Sequence, residues 1–279
     1  MIRFMNNVKT ALLLGGLMGL FLLVGGAMGG QSGLLIALVL GGVTNVVAFL
    51  FSDKIAIAAM QGREVDERTG GDLYAMVKEL APRAGVPMPR VYICPQEAPN
   101  AFATGPWPSR GAVAVTQGAL RLLDHEEMRG VMAHELAHIR NRDTLTSTIA
   151  ATVAGVLAYL AQMSLWIGMP RDSEGRASPL GLVAVILAPL AAILIQMAIS
   201  RSREYVADAD AAEIAGTPNG LISALAKLDG YSRRIPMRNP NPAQNNLFIV
   251  EPLCGSSLAG MFATHPPTEK RIAALRRLA

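Results

Sequence analysis

The stretch from residue 131 to residue 139 reads V-M-A-H-E-L-A-H-I and places two histidines four residues apart. Positions i and i+4 share one face of an α-helix, so His134 and His138 can reach a single metal ion if the stretch is helical. Glu135 would then lie beside that ion, where its carboxylate can take a proton from water. The H-E-x-x-H pattern therefore predicts a zinc centre of the metallopeptidase type, with Glu135 as general base.

The local sequence predicts a helix around this motif, over about 125–143. Asp124 is a favourable N-cap residue, and Glu127 three positions later completes a capping-box pattern. Apolar residues then recur with helical spacing at Met128, Val131, Met132, Leu136 and Ile139. The alternative is a pair of ordinary helix histidines that flank a salt-bridged glutamate. The central position of the motif in the helix favours the zinc centre.

The composition is that of a membrane protein. Of the 279 residues, 51% are hydrophobic and 16% charged, and the mean hydropathy is +0.34. The net charge of +4 could indicate nucleic-acid binding. However, no basic run is interleaved with aromatic residues, and the cations cluster beside apolar segments, so no nucleic-acid partner is expected. Orientation in a membrane explains the excess of cations better.

The chain has two cysteines, Cys94 and Cys254. They form neither a disulfide framework nor a zinc-type spacing. Both are expected to be unpaired, as in a reducing compartment.

Two apolar, uncharged segments begin the chain, over 11–30 and 34–51. They predict a transmembrane hairpin within residues 1–52. A signal peptide is the alternative because Arg3 and Lys9 precede the apolar run, but the second segment follows at once and favours the hairpin. Asn45 in the second segment is expected to form a hydrogen bond between the helices.

Two further apolar segments, over 144–168 and 179–200, predict a second transmembrane hairpin within 144–200. A buried helical hairpin in a soluble core is the alternative, but both runs exceed the usual length of a core helix. The catalytic part is thereby divided into residues 53–143 and 201–279. Unbalanced cations flank the segments at Lys54, Arg140 and Arg201, and the positive-inside rule puts both parts in the cytoplasm. If the motif helix continues into the third segment, Thr144 lies about 9 Å beyond His138.

Residues 53–143 are predicted to contain a helix and three strands before the motif helix. Apolar spacing from Leu73 to Ala84 predicts an amphipathic helix, which Gly85 and Pro87 end. Three strands are predicted, over 90–94, 100–105 and 111–116.

A catalytic zinc needs a third protein ligand. The acidic candidates are Glu204 and Asp208, in the stretch S-R-S-R-E-Y-V-A-D-A-D over 200–210, and they would share one helix face. One could bind the metal while the other accepts a hydrogen bond from a ligating imidazole, and spacing does not decide between them. A solvated, charged helix face is the alternative. His125, in the first turn of the motif helix, is expected to be solvated.

Four motifs occur along nearly the whole chain: N-A-F-A-T-G over 100–105, H-E-L-A-H over 134–138 followed by N-R-D, the acidic stretch over 200–210, and T-H-P-P-T-E-K-R over 264–271. Together they resemble the HtpX-like membrane zinc metallopeptidases, the family that includes the CAAX prenyl protease. The resemblance implies an α-helical membrane protein with four transmembrane helices and an α+β cytoplasmic zincin-like (gluzincin) domain. It also implies that Glu204 is the third zinc ligand and that Asp208 orients a ligating histidine.

Two further sets of residues are candidates for the site. His265 is expected to donate to the oxyanion of the tetrahedral intermediate, with help from Arg271. A turn residue before a last helix from about 268 is the alternative for His265. The second set is a stretch that resembles the substrate-binding strand of H-E-x-x-H peptidases and consists of Asn100, Ala101, Phe102 and Ala103. An ordinary packed strand fits the sequence equally well.

The sequence thus predicts an endopeptidase with one Zn²⁺ per chain in the cell inner membrane, its active site facing the cytoplasm. Its partners are protein or peptide substrates and membrane lipid. The family resemblance implies a role in protein quality control and stress response, on misfolded or membrane proteins. One alternative is a processing protease for a specific lipidated or signal-type substrate. Another is a membrane scaffold with structural zinc, which four protein ligands would normally hold, whereas the sequence offers three convincing ones.

Overall fold

The computed structural model describes residues 2–145, 201–234 and 266–278. The third and fourth predicted apolar segments lie almost wholly outside the described residues, as do Cys254 and His265.

The first helical element, α1, runs from Ile2 to Leu50 but is not straight. Asn45 donates a hydrogen bond from Nδ2 to the Leu14 carbonyl at 3.0 Å. The Met18 methyl lies 3.9 Å from where a Cβ on Gly42 would be. Residues 14 and 45 would be about 46 Å apart in a straight helix, so the two halves of α1 must lie side by side. The hydrogen bond predicted for Asn45 is therefore confirmed.

A second helix, α2 (Ser52–Ala59), follows directly. Within the described part of the chain, no helix by itself combines the length and the apolarity of a membrane span. One bent pair, Leu34–Val47 with Ser52–Ala59 at an angle of 76°, meets those criteria jointly.

Four strands form a single sheet in the order β1-β2-β4-β3: β1 (Arg63–Val65), β2 (Arg90–Cys94), β3 (Ala101–Thr104) and β4 (Ala112–Thr116). The β2–β4 pair is parallel, and the other two pairs are antiparallel. The prediction of the last three strands is confirmed to within one residue at each end. The sequence did not predict β1, because three mostly exposed residues carry no readable alternation. Strand β3 lies at an edge of the sheet.

Six helices complete the described structure: α3 (Gly71–Arg83), α4 (Gln117–Leu122), α5 (His125–Asn141), α6 (Arg201–Ala215), α7 (Asn219–Arg234) and α8 (Thr268–Leu275). Helix α5 carries the motif and packs between the sheet on one side and helices α6 and α7 on the other. Its residues Val131, Met132, Ala133 and Leu136 are completely buried in the main core. The motif helix is thus the central element of the domain.

Both ends of α5 are determined locally. The Asp124 side chain accepts from the Glu127 amide, and the Glu127 carboxylate accepts from the Asp124 amide, which confirms the predicted capping box. At the other end, Arg142 adopts a left-handed backbone with φ 59°. The helix therefore ends at Asn141, two residues before the predicted end at about 143, and the break at Arg142 separates it from the third apolar segment. Helical backbone resumes at Asp143.

Helices α5 and α7 approach each other so closely that their backbones touch. A Cβ on Gly130 would lie 2.3 Å from the Leu221 nitrogen, and one on Gly220 would lie 2.1 Å from the Glu126 carbonyl oxygen. Neither position has space for a side chain, because the obstructing atoms are backbone. This crossing fixes α7 against the helix turn directly before His134.

We expect Gly130→Ala to lower the free energy of unfolding by about 1–3 kcal/mol, because the added methyl group forces the two backbones apart. Gly230→Ala, in the partner helix α7, is the control, since a Cβ there meets no atom within 4 Å. It should leave stability unchanged or raise it by about 1 kcal/mol through helix propensity. The measurement is thermal unfolding of the full chain, and equal melting temperatures for the two variants would contradict the close crossing.

Candidate metal centre

The two histidines of the motif face each other on α5. The Nε2 atoms of His134 and His138 are 3.1 Å apart, and the rings meet edge to face. His134 is 1% exposed. The spacing of four residues therefore aims both imidazoles at one point, as the helical pattern predicts.

Glu204, in the first turn of α6, supplies the third group. One carboxylate oxygen lies 3.6 Å from the His134 Nε2, and the other lies 3.6 Å from the His138 Nε2. One ligand atom from each of the three residues lies within 4.8 Å of the others. A tetrahedral zinc ion bound at about 2.0–2.1 Å separates neighbouring ligand atoms by about 3.3 Å. The three groups therefore fit a metal ion of this size.

The outer nitrogen of each imidazole faces a buried carboxylate. The His134 Nδ1 lies 3.1 Å from an oxygen of Asp208. The His138 Nδ1 is hydrogen-bonded to Asp143 at 3.1 Å. A carboxylate at Nδ1 fixes the ring orientation and leaves Nε2 available to a metal, which is the usual arrangement behind ligating histidines.

Each of these carboxylates has a buried arginine beside it. Arg271 in α8 donates to both oxygens of Asp208, from Nε at 2.9 Å and from Nη2 at 2.7 Å. The same Nη2 lies 3.7 Å from Glu204 and 3.4 Å from the His134 Nε2. Arg203 lies 3.8 Å from Asp143. Two chains of the form His–Asp–Arg therefore converge on the centre.

The charges of the network shift the pKa values of its members. Burial lowers the pKa of His134, but the contacts with Asp208 and Glu204 outweigh it and raise the pKa to about 10. Burial raises the pKa of Asp208, but Arg271 and His134 outweigh it and lower the pKa to about 2. Asp208 is therefore a carboxylate at neutral pH, placed to accept a hydrogen bond from the His134 Nδ1.

Glu135 is 4% exposed and interacts with both motif histidines and with the backbone of Ala103 in the edge strand. Burial is the main cause that raises its pKa, while the two imidazoles and the backbone amide of Ala103 act in the opposite direction. A carboxylate with a raised pKa near a metal centre is a suitable proton acceptor at neutral pH. Its proximity to Ala103 places β3 beside the reacting groups.

The other predicted candidates are distributed around this centre. Asn100 is 2% exposed, and its backbone amide donates to the Thr116 hydroxyl at 2.8 Å, which holds the start of β3 against β4. In β3, Ala101 and Phe102 are buried and Ala103 is partly exposed. His125 is exposed, as expected. Cys94 is buried and unpaired.

The sequence did not predict two members of the network, Asp143 and Arg203. Asp143 is five residues after His138, outside the i+4 spacing, and it reaches the imidazole because the left-handed Arg142 breaks the helix between them. Arg203 is 7% exposed, and neither of its terminal nitrogens has a hydrogen-bond partner among the described residues. The pattern of charges in the sequence did not distinguish Arg203 from the neighbouring Arg201. An arginine directly before a candidate ligand is the only signal that the sequence offered.

Comparisons with known proteins found a family model and curated relatives for this chain. The model of peptidase family M48 matches residues 67–279. A protease HtpX homolog from Desulforapulum autotrophicum is 51% identical over 97% of this chain and 89% of its own length. Those from Burkholderia ambifaria and Nostoc punctiforme are 49% and 50% identical, each over 98% of this chain and over 97% and 96% of their own lengths.

A solved structure shares the fold. The crystal structure of Ste24p from S. mikatae matches 98% of this chain with a TM-score of 0.53 at 17% sequence identity. This chain spans 66% of that protein's length. The family model and the relatives confirm the resemblance that the motifs indicate, and the chain belongs to peptidase family M48 and is a metallopeptidase.

Proposed function

We propose that this chain is a zinc-dependent, membrane-bound endopeptidase that hydrolyses peptide bonds of misfolded or membrane proteins at the cytoplasmic face. The observation that carries the proposal is the convergence of His134, His138 and Glu204, with Glu135 beside them. Three protein ligands are typical of catalytic zinc, whereas structural zinc has four. Among the described residues, one such group of three is present, which disfavours a scaffold with structural zinc.

In this proposal, His134, His138 and Glu204 hold one zinc ion per chain. When bound, zinc supplies a Lewis acid that activates water and polarises the peptide carbonyl. Glu135 takes the proton of the attacking water and delivers it to the leaving amine. Asp208 and Asp143 hold the two imidazoles by their Nδ1 atoms, so that both Nε2 atoms stay directed at the centre.

Strand β3 is the proposed binding edge for the substrate. Among the described residues it pairs with β4 alone, because the sheet order ends at β3. An extended peptide added to a free edge forms backbone hydrogen bonds and gains affinity with little sequence preference. The contact between Glu135 and the Ala103 amide would bring the scissile bond near the general base. Asn100 and Phe102 complete the proposed binding strand.

Membrane residence and orientation belong to the same proposal. The four apolar segments would form two hairpins, over 1–52 and 144–200, with the catalytic parts 53–143 and 201–279 on the cytoplasmic side. The side-by-side halves of α1 support the first hairpin. The contacts between α5 and α6 support a common side for the two catalytic parts, since their ligands meet at one centre.

Glu135→Gln should lower the rate of cleavage of an unfolded substrate such as casein by a factor of about 10²–10⁴, because the amide cannot accept a proton. Zinc content, determined by metal analysis of the full chain, should stay near one ion per chain. Glu126→Gln is the matched control, as an exposed glutamate on the same helix. Retained cleavage in Glu135→Gln would remove this residue as the base.

Arg271→Lys should weaken zinc binding about 10–100-fold, because a lysine cannot donate to both oxygens of Asp208 and the His134 ring loses its support. Competition with a chromophoric chelator measures the affinity. Arg276→Lys, exposed at the end of the same helix, is the control. Thermal unfolding with and without zinc separates a local effect from loss of the fold. An unchanged zinc affinity would show that Arg271 does not position the centre through Asp208.

His265, which lies outside the described residues, is the proposed donor to the oxyanion. Its replacement by alanine should lower turnover about 10²–10³-fold, the usual cost of one such donor, with zinc content and KM little changed. The readouts are steady-state kinetics on a peptide and metal analysis. Loss of zinc would instead identify His265 as a ligand.

A further inference from the structure

A group of aromatic and cationic side chains lies where α1 meets α2 and the loop between β3 and β4. We call it the junction patch; its members are Phe49, Phe51, Lys54, Trp107 and Arg110. Phe51 is 41% exposed, Lys54 is exposed, and the other three are partly exposed. None of these residues belongs to the metal centre.

Polar contacts fix the loop to the end of α1. Arg110 donates from Nη2 to the carbonyl of Leu50, the last residue of α1, at 3.0 Å. The same nitrogen lies 3.2 Å from Asp53 Oδ1, and Arg90 donates to the other oxygen of that carboxylate. Asp53 is 1% exposed, so two guanidinium groups hold one buried carboxylate beneath the patch. These polar contacts therefore hold the side chains of the patch in fixed positions.

The patch has an excess of positive charge. Arg110 of the patch and the neighbouring Arg90 have Asp53 as their single ion-pair partner among the described residues. Together with Lys54 this leaves a net charge of +2 from three cations and one anion. The Lys54 ammonium lies 5.4 Å from the Phe51 ring centroid, and it has no ion pair within the described part of the chain. The Arg110 guanidinium lies 5.5 Å from the Trp107 ring centroid, and the Trp107 ring lies 6.0 Å from that of Phe49. An anionic partner complements this surface.

Exposed apolar side chains also line the second half of α1, which ends at the patch. They include Leu35, Ile36, Val39, Val43, Val46 and Val47, which are between 41% and 66% exposed. Exposed apolar helix surface next to aromatic and basic residues is the arrangement found where a helix leaves the hydrocarbon core for the headgroups. An acidic soluble protein would complement the charge but would leave this apolar surface in water. The combination favours a lipid surface.

We propose that the junction patch binds the headgroups of anionic phospholipids, with Trp107 at headgroup depth and Lys54 and Arg110 facing the phosphates. The inference rests on the proposed membrane residence and adds the lipid class and the contact residues. The loop that carries Trp107 and Arg110 also contacts the end of the motif helix and the residues directly after it. The Thr144 hydroxyl donates to the Gly105 carbonyl at 2.9 Å, and a Cβ on Gly111 would lie 3.2 Å from Ile139. Contact with the headgroups therefore fixes the loop between β3 and β4, and this loop packs against the catalytic helix.

Depth-dependent quenching of Trp107 tests the placement. The chain has two tryptophans, so Trp166→Phe leaves Trp107 as the single fluorophore. The full-length variant is reconstituted into vesicles of phosphatidylcholine and phosphatidylglycerol that carry bromine either near the headgroup or near the chain end. We expect stronger quenching from the bromine near the headgroup. Stronger quenching from the chain end, or no quenching by either lipid, overturns the proposal.

The preference of the junction patch for anionic over neutral lipid tests the role of its positive charge. At equal mole fraction, brominated phosphatidylglycerol should quench Trp107 more than brominated phosphatidylcholine does, and raised ionic strength should weaken that preference. Lys54→Gln should lower the preference by about a factor of five. Lys270→Gln, an exposed lysine on α8, is the matched control and should leave it unchanged. Equal quenching by the two lipids in the unaltered patch, or an equal effect of the two lysine variants, overturns the proposal.

Two controls on the same samples separate this inference from the proposed function. Casein cleavage and zinc content report the metal centre, whose residues His134, Glu135, His138 and Glu204 are retained in both Trp166→Phe and Lys54→Gln. If the chain cleaves casein and stays with the vesicles but headgroup bromine does not quench Trp107, the lipid-binding role of the junction patch is refuted and the proposed function is not. Binding of an acidic protein or inorganic phosphate at the patch would leave Trp107 unquenched by both lipids. Loss of the chain from the vesicles would refute membrane residence itself.

Discussion

The metal centre depends on the pairing of each motif imidazole with a buried carboxylate. Asp208 faces His134 and Asp143 faces His138, both at 3.1 Å from Nδ1. A buried, unpaired carboxylate is costly, and arginines beside the two aspartates offset that cost. Arg271 does so with two direct hydrogen bonds, whereas Arg203 acts from 3.8 Å. The charges thus support one another in a region from which water is largely excluded.

This network also explains the arrangement of the helices. The groups come from α5, from Asp143 directly after it, and from α6 and α8, so the centre forms only when these three helices pack against one another. The glycine crossing at Gly130 and Gly220 brings α7 against α5, one helix turn before His134. A fully buried apolar face on α5 provides the packing energy, and His134, Glu135 and His138 of the same helix lie at the centre. Stability and chemistry are therefore concentrated on one helix.

The edge strand β3 connects the centre with the end of the first helical element. Its backbone lies beside Glu135, and the loop that follows it is bonded to Leu50 and Asp53 through Arg110. The same loop accepts a hydrogen bond from Thr144, directly after the motif helix. Three parts of the chain that are distant in sequence meet at this short loop. A change at the end of α1 can therefore reach the strand that we propose for substrate binding.

The sequence by itself determined the motif helix with its cap, three of the four strands and the choice of Glu204 and Asp208 as candidates. These features depend on neighbours three or four residues apart or on alternation within a strand, and such short-range rules can be read along the chain. Only the tertiary structure decided that Asp143 reaches His138, because a left-handed residue between them breaks the helical spacing. Only it decided that Arg271 holds Asp208, which lies 63 residues away. It also decided that Gly130 must lack a side chain and that Arg90 and Arg110 share one aspartate. These contacts join residues far apart in the chain, and packing of the whole domain, not local pattern, selects them.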